Sequence, residues 1–337
     1  MEIKTSGKIK MRNILKDYKI FNIDPKQSRS KYFYKNVLEY RSHMMKKFRR
    51  DIKKPNQFIC PLCSSKKGDN FLAYKNYHLI DCSKCGLVSP NVDFSKLDNQ
   101  DVYDDAAYIK DTRREVLDTY EYRKKTHAPE RFNYILEKTK IPKNKINLLD
   151  VGCGPGYLLS YLKDNHVKYK GLELADFLVK ICKDKKLNVE KSDLNNEPDG
   201  NYNVITLFDV LEHLADPISL FKTLNKKTKK GGFVLAYTPN IHSPSFLLMG
   251  EKQNNLYPFQ HLLFFDPKSL DYLAQKSGFK VQSIDYYGLD LMDYFCWKSY
   301  KDKFDYLNKL KDFIPTIQAI IDKQNISNHQ RIIFKKI

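Results

Sequence analysis

One stretch constrains this chain more than any other: Leu148-Leu149-Asp150-Val151-Gly152-Cys153-Gly154-Pro155-Gly156-Tyr157-Leu158-Leu159. Leu148 to Val151 is a short apolar run, as a parallel strand covered on both faces requires. Three alternating glycines follow, and they let a ligand press against bare backbone. Tyr157 to Leu162 takes helical spacing, and Pro155 is tolerated in the first turn. A helix start offers free N–H groups and the positive end of a dipole. Strand, glycine turn and helix in this order predict an α/β fold with a nucleotide-like ligand.

The second constraint is Cys60-Pro-Leu-Cys63, eighteen residues, then Cys82-Ser-Lys-Cys85-Gly86. Two thiolates on one tight turn span neighbouring corners of a tetrahedron, and a second turn supplies the other two. Phe71 to Tyr74 and Tyr77 to Ile80 read as a hairpin between them. The spacing predicts a zinc ribbon, with Ser64 where such knuckles often carry glycine. Four thiolates close the coordination sphere, so this Zn2+ is expected to be structural, supplying folding energy to a module too small for its own core. Cys153, Cys182 and Cys296 are scattered. Seven cysteines with one tight set argue for a reducing compartment rather than a secreted disulfide framework.

At 337 residues the chain suits one catalytic domain of about 200 residues with additions. No apolar run approaches a membrane span and no apolar leader opens the chain, so a cytoplasmic protein is expected. The net charge of +19 raises nucleic-acid binding. Most of that charge is lysine, however, and arginine is absent from Phe132 to Gln330. A basic functional surface would therefore fall near Arg41, Arg49 and Arg50.

Residues 1–57 read as a basic arm, helical from Lys35 to Lys54 with Tyr34, Val37, Leu38 and Met45 as apolar spacing. Residues 58–90 form the ribbon. Residues 91–145 read as a linker and helical lead-in, with a helix from Glu130 to Lys140. There Tyr103 and Tyr108 either line a substrate entrance or pack against the ribbon. Residues 146–337 alternate strand and helix signals, which means a doubly wound, mostly parallel seven-stranded Rossmann-like sheet. The tail, Arg331 to Lys336, reads as a further strand at the sheet edge. Residues 289–325 have helical period and are expected to lid the site or to form a homodimer contact.

The acids after the glycine turn narrow the ligand. Asp150 precedes the first glycine. Glu173 closes the next strand, where a carboxylate can take ribose hydroxyls. Asp193 closes the third, placed to accept from an exocyclic amine. An adenosine with a short cationic amino-acid tail suits this rim better than a pyrophosphate does.

At these residues the chain resembles the class I S-adenosylmethionine-dependent methyltransferases, and is most similar to the group containing ubiquinone O-methyltransferases and sugar methyltransferases. The match runs through Leu149 to Gly156, Gly171-Leu-Glu173, Ser192-Asp193-Leu194, Ile205 to Pro217, Gly231-Gly232, Tyr237 to Asn240 and His261 to Phe265. Asn203 stands where the family often has Asp. The resemblance implies that Gly152, Gly154 and Gly156 meet the methionine tail. It implies that Glu173 binds the ribose, that Asp193 and Leu194 flank the adenine, and that Phe208 and Asp209 lie beside the cofactor. It also implies a small-molecule acceptor. The ribbon recurs in sugar-modifying relatives, which points to a carbohydrate. RNA is the second reading, because an N-terminal ribbon also precedes ribosomal-RNA methyltransferases.

Methyl transfer from a sulfonium needs alignment and, for a hydroxyl, removal of a proton. Glu212-His213 follows the fourth strand at the ligand-binding edge. His213 is the candidate base with Glu212 orienting it, or the two hold a divalent ion, or His213 holds the loop. His261 is the second candidate base and His242 a weaker one.

Overall fold

The computed structural model describes residues 23, 24, 27, 33–97 and 105–337. Within them α1 (Phe33–Lys47) precedes a three-stranded antiparallel sheet of β1 (Gly68–Tyr74), β2 (Tyr77–Cys82) and β3 (Val88–Pro90). A long helix, α2 (Ala106–Thr139), leads to the main sheet. Its parts are β4 (Asn147–Val151), α3 (Tyr157–Asp164), β5 (Lys168–Leu172), α4 (Asp176–Asp184), β6 (Val189–Glu190), β7 (Tyr202–Phe208), α5 (Pro217–Lys227) and β8 (Thr228–Pro239). Then follow α6 (Pro244–Met249), α7 (Pro267–Ser277), β9 (Phe279–Tyr286), α8 (Asp290–Asp302), α9 (Tyr306–Lys309), α10 (Ile314–Lys323) and β10 (His329–Lys336).

The seven strands run β6-β5-β4-β7-β8-β10-β9. Strands β4 to β8 pair in parallel, and β10 is antiparallel to both neighbours. The tail strand is therefore not at the edge as its alternation suggested. Ile332, Ile333 and Phe334 are all fully buried, which requires cover on both faces and a neighbour on both sides. The chain winds outward through β5 and β6, then returns to the far side of β4 through β7. That reversal opens a crevice at the carboxyl ends of β4 and β7.

Alternate residues of the strands feed two cores. Leu148, Val204, Leu235 and Ile333 pack with Leu158, Leu159 and Leu162 of α3 and Phe132 and Ile135 of α2. Leu149, Ile205, Val234 and Phe334 pack with Phe221 and Leu224 of α5 and Leu270 and Leu273 of α7. The second core also contains Cys60, Cys63, Cys82, Cys85, Phe58 and Leu87. The small sheet is thus welded by one face to the large one, while Tyr77, Leu79 and Val88 form a third core with Met44 and Phe48 from the α1 side and with Phe259 and Phe264.

The lead-in differs from the helix expected over Glu130 to Lys140. One helix of 34 residues runs through it, with Pro129 inside. Proline removes one N–H and normally stops a helix. Packing of α2 along α3 overrides that signal. Among the described residues no helix is long and apolar enough to cross a membrane.

Candidate active site

A cavity of about 670 Å3 opens where β4, β5 and β7 end. The glycine turn forms one wall. Gly152, Gly154 and Gly156 all have positive φ, at 67°, 56° and 78°. A Cβ on Gly152 would stand 2.6 Å from Val210 Cγ2, and one on Gly156 would stand 2.5 Å from Leu187 Cδ1. A Cβ on Gly154 would meet nothing within 4 Å. Gly152 and Gly156 are thus glycines for packing, while Gly154 presents bare backbone to the cavity.

The acids divide the work. Glu173 accepts the Gly154 N–H at 2.8 Å, and its other oxygen accepts from Leu174 and Ala175 at 2.8 and 2.9 Å. It braces the turn and lines the cavity together. Burial raises its carboxyl above the usual range, against those three donors. Asp150 is buried and accepts from the Thr206 hydroxyl at 2.6 Å. Burial pushes it up to about 6, against the Thr206 bond. Asp193 accepts the Asn195 N–H at 2.6 Å and caps a short turn, Leu194–Asn196. Asp193 and Leu194 both line the cavity. Asn203, in place of the family's acid, ties strand ends together by accepting from Asn147 N–H at 2.8 Å.

Beyond Phe208 the wall changes character. Asp209 has φ 60°, a left-handed backbone that aspartate adopts more readily than most side-chain-bearing residues. Arg131 donates to Asp209 at 3.2 Å and lies 4.8 Å from the Phe208 ring centre. Burial would raise the Asp209 carboxyl, but the Arg131 and His329 charges outweigh it and hold it low.

His213 lines the cavity, whereas Glu212 and His261 stand behind it. The His213 and His261 rings meet edge to face at 4.9 Å. His213 Nδ1 donates to the Gln260 carbonyl at 2.8 Å, and His261 Nδ1 to the Asn255 carbonyl at 2.7 Å. Glu212 does not orient His213 as expected. Its carboxylate turns inward and accepts from the Thr238 hydroxyl at 3.0 Å, so the backbone of Gln260 takes the orienting role. Burial lowers the pKa of His213, and burial with the His213 neighbour lowers that of His261 further. Burial, then Asp209, raises Glu212 well above the carboxylate range. One donor atom from each of the three lies within 4.8 Å of the others. Two imidazoles and a carboxylate fit a divalent cation, and each ring is fixed by a backbone carbonyl.

The opposite wall comes from α2, within the segment whose sequence reads as a linker and helical lead-in. Arg123, His127 and Arg131 are four residues apart, share one helix face and line the cavity. Their spacing was a usable signal, hidden by Pro129. Burial, then Arg123 and Arg131, drives His127 down to about 3. Tyr108 also lines the cavity and packs on Tyr40 and Phe177. Tyr103 lies outside the described residues. The insertion 289–325 contributes no lining residue, so it is not the lid that its position suggested. Its helices α8 and α10 pack on each other instead, and α8 packs on α6 and α1. His242 is exposed and lies edge-on to Phe71 at 5.1 Å, away from the cavity lining.

The four ribbon cysteines converge. Cys60 and Cys85 sulfurs are 3.6 Å apart, and Cys63 and Cys82 sulfurs 3.5 Å. Four thiolates around zinc stand about 3.8 Å apart, given Zn–S of about 2.3 Å on a tetrahedron. The set fits that ion. The hydrogen bond from Cys85 pulls Cys60 down to about 5 and pushes Cys85 up. Gly86 has φ 78° and Ser64 has φ 58°, so both knuckles use a left-handed residue and Ser64 fills a glycine's place.

The arm does not carry the basic surface expected at Arg41. That guanidinium is fully buried and donates to the carbonyls of Glu251 and Gln253, while Arg49 and Arg50 are exposed. Most of residues 1–32 lies outside the described residues.

A family model described as a methyltransferase domain matches residues 120–284. The ubiquinone biosynthesis O-methyltransferase of Nitrosospira multiformis is 30% identical over 171 residues, covering 46% of this chain and 71% of that protein. The protein of the same name from Hydrogenovibrio crunogenus is 31% identical over 165 residues, covering 44% and 68%. Among solved structures, a SAM-dependent methyltransferase from Archaeoglobus fulgidus covers 61% of this chain and 94% of its own at 24% identity, with a TM-score of 0.43.

Proposed function

Because the chain belongs to the S-adenosylmethionine-dependent methyltransferases, we propose that it methylates a hydroxyl of a small acceptor seated at the His213 end of the cavity. The observation that carries this is that the glycine turn and His213 line one cavity. S-adenosylmethionine, when bound, supplies a methyl group on a sulfonium. Gly152 and Gly154 would meet its methionine tail while Gly156 keeps the turn packed behind them, with Arg123 and Arg131 as cations for the carboxylate. Glu173 would take the ribose, Asp193 and Leu194 the adenine, and Phe208 and Asp209 would flank it.

His213 is the base. Burial keeps it neutral near pH 7, so it can accept a proton, and a positioned base is worth about 10²- to 10⁴-fold. Glu212 and His261 support it from behind; were the three to hold a divalent ion instead, Nε2 of His213 would be its ligand, and activation of the hydroxyl would pass from His213 to that ion, which favours an ionised Glu212. The named relatives are O-methyltransferases, which supports a hydroxyl acceptor. We assign the acceptor to the carbohydrates, as a sugar, sugar nucleotide or polysaccharide precursor, on the resemblance of the ribbon-bearing chain to sugar-modifying enzymes. A reducing cytoplasm suits four free cysteines as metal ligands.

The test is methyl transfer from labelled cofactor to a panel of sugar nucleotides and hydroxylated aromatics. We expect a sugar nucleotide to be labelled, and His213→Gln to lose about 10²-fold or more in kcat while still binding S-adenosylhomocysteine. Labelling of the aromatics alone would overturn the acceptor class. Full activity of His213→Gln would remove the base.

A further inference from the structure

His213 and His261 are placed by a loop, residues 250–266, that joins α6 to α7. Gln260 of that loop accepts from the His213 ring, and His261 belongs to it. The loop is fixed at the sheet by Leu262 and Leu263, whose N–H groups both donate to the Glu212 carbonyl at 2.7 and 3.0 Å. Its other side is held by the cysteine ribbon. Val88 and Phe264 exchange two backbone hydrogen bonds, at 3.0 and 2.9 Å, which adds the loop to β3 as an extra strand residue. Tyr77 of β2 is fully buried, and its hydroxyl accepts the Phe259 N–H at 3.2 Å. The two rings pack at 5.2 Å.

Phe259 is the residue that most needs holding. Its φ is 66°, a left-handed conformation that bulky side chains avoid, and it immediately precedes Gln260 and His261. Such backbone persists only when its surroundings over-determine it, and it clusters at functional sites. Here the surroundings are Tyr77 from the ribbon and Phe48, 5.1 Å away at the end of α1.

We propose that the ribbon is a positioning device for the acceptor side of the active site, with Tyr77 and Val88 as its positioning residues. They hold Phe259 and Phe264 so that the Gln260 carbonyl and the His261 ring meet His213. This rests on His213 being the chemical end of the cavity. The readout below is position alone, so a failed acceptor assay leaves it standing, and a failure here leaves the methyl-transfer reading standing.

Tyr77→Phe keeps the ring and removes only the acceptor of the Phe259 N–H. In the full-length, metal-loaded protein we expect amide exchange at residues 259–261 to quicken about ten-fold or more, the effect of leaving one buried donor unpaired. The imidazole NMR signals of His213 and His261 should move, while that of exposed His166 stays. S-adenosylhomocysteine affinity and the content of zinc should match the wild type. Tyr272→Phe on α7 should do none of this. Unmoved His213 and His261 signals with unchanged loop exchange would overturn the proposal. So would equal movement of His166, since the effect would then be general. Val88→Pro, which removes the N–H given to Phe264, should reproduce the effect at 262–264.

Discussion

The two ends of the cavity solve the same backbone problem differently. At the glycine-turn end the left-handed positions are Gly152, Gly154 and Gly156, alternating within five residues and free of strain. Toward the His213 end they are Asp209, next to Phe208, and Phe259, both side-chain-bearing and fifty residues apart, with the strain falling on Phe259. The first end is built by one strand–turn–helix unit, braced by the end of the neighbouring strand, where Leu172 and Glu173 accept from the turn. The second is assembled from β7, α2, the loop 250–266 and, behind the loop, the ribbon. A local motif can stand on local chemistry, whereas strained side-chain-bearing positions need neighbours from elsewhere in the chain.

That contrast can be broken by substitution. Gly156→Ala should be the most damaging to stability. Its Cβ would press to 2.5 Å from Leu187 Cδ1 at φ 78°, and overpacking with left-handed strain costs about 3 kcal/mol together. Denaturant unfolding would show this, and a loss under about 1 kcal/mol would mean that the turn is looser than drawn.

Asp150→Asn should act through pH. The wild-type carboxyl is raised from 3.8 to about 6 in the fold. Its contribution is therefore fully present below pH 4 and is lost as pH rises to 6. The Asn variant keeps the Thr206 bond without the charge. The ligand-free variant should be more stable than wild type by about 2 kcal/mol at pH 8, with the gain fading below pH 5. A gain independent of pH would sink the assignment.

Ser64→Gly should have the smallest effect and should bring a ribbon knuckle into line with the glycine-turn end. Removing left-handed strain at φ 58° should add about 1 kcal/mol, read as a higher Tm of the zinc-loaded protein. A lower Tm would show that the Ser64 side chain matters more than its backbone.

The same contrast explains what was legible. Leu148 to Gly156, Glu173, Asp193 and the four cysteines are local signatures, because strand ends and knuckles carry their chemistry at fixed spacing. In the structure Gly152, Gly154, Glu173 and Asp193 line one cavity and the four thiols converge, while Gly156 packs behind the turn. Arg131 was missed because Pro129 reads as a helix stop, and only packing on α3 overrides it. Glu212 was given the wrong partner because neighbouring residues on a short turn point to opposite sides, one to Thr238 and one to Gln260. The strand β10 was put at the edge because alternation reports faces and not neighbours. No sequence signal marked Phe259, since nothing about a phenylalanine announces a positive φ.

The central claim is that one cavity, entered at Gly154, holds the cofactor. Calorimetric titration with S-adenosylhomocysteine tests it most directly on wild type and Gly154→Arg. Space around Gly154 is open, so the arginine should fill the cavity rather than break the core, with a left-handed cost of about 1 to 2 kcal/mol. We predict one ligand per wild-type chain and a loss of affinity of about 100-fold or more in the folded variant. Absence of binding to wild type, or undiminished binding to folded Gly154→Arg, would contradict the account.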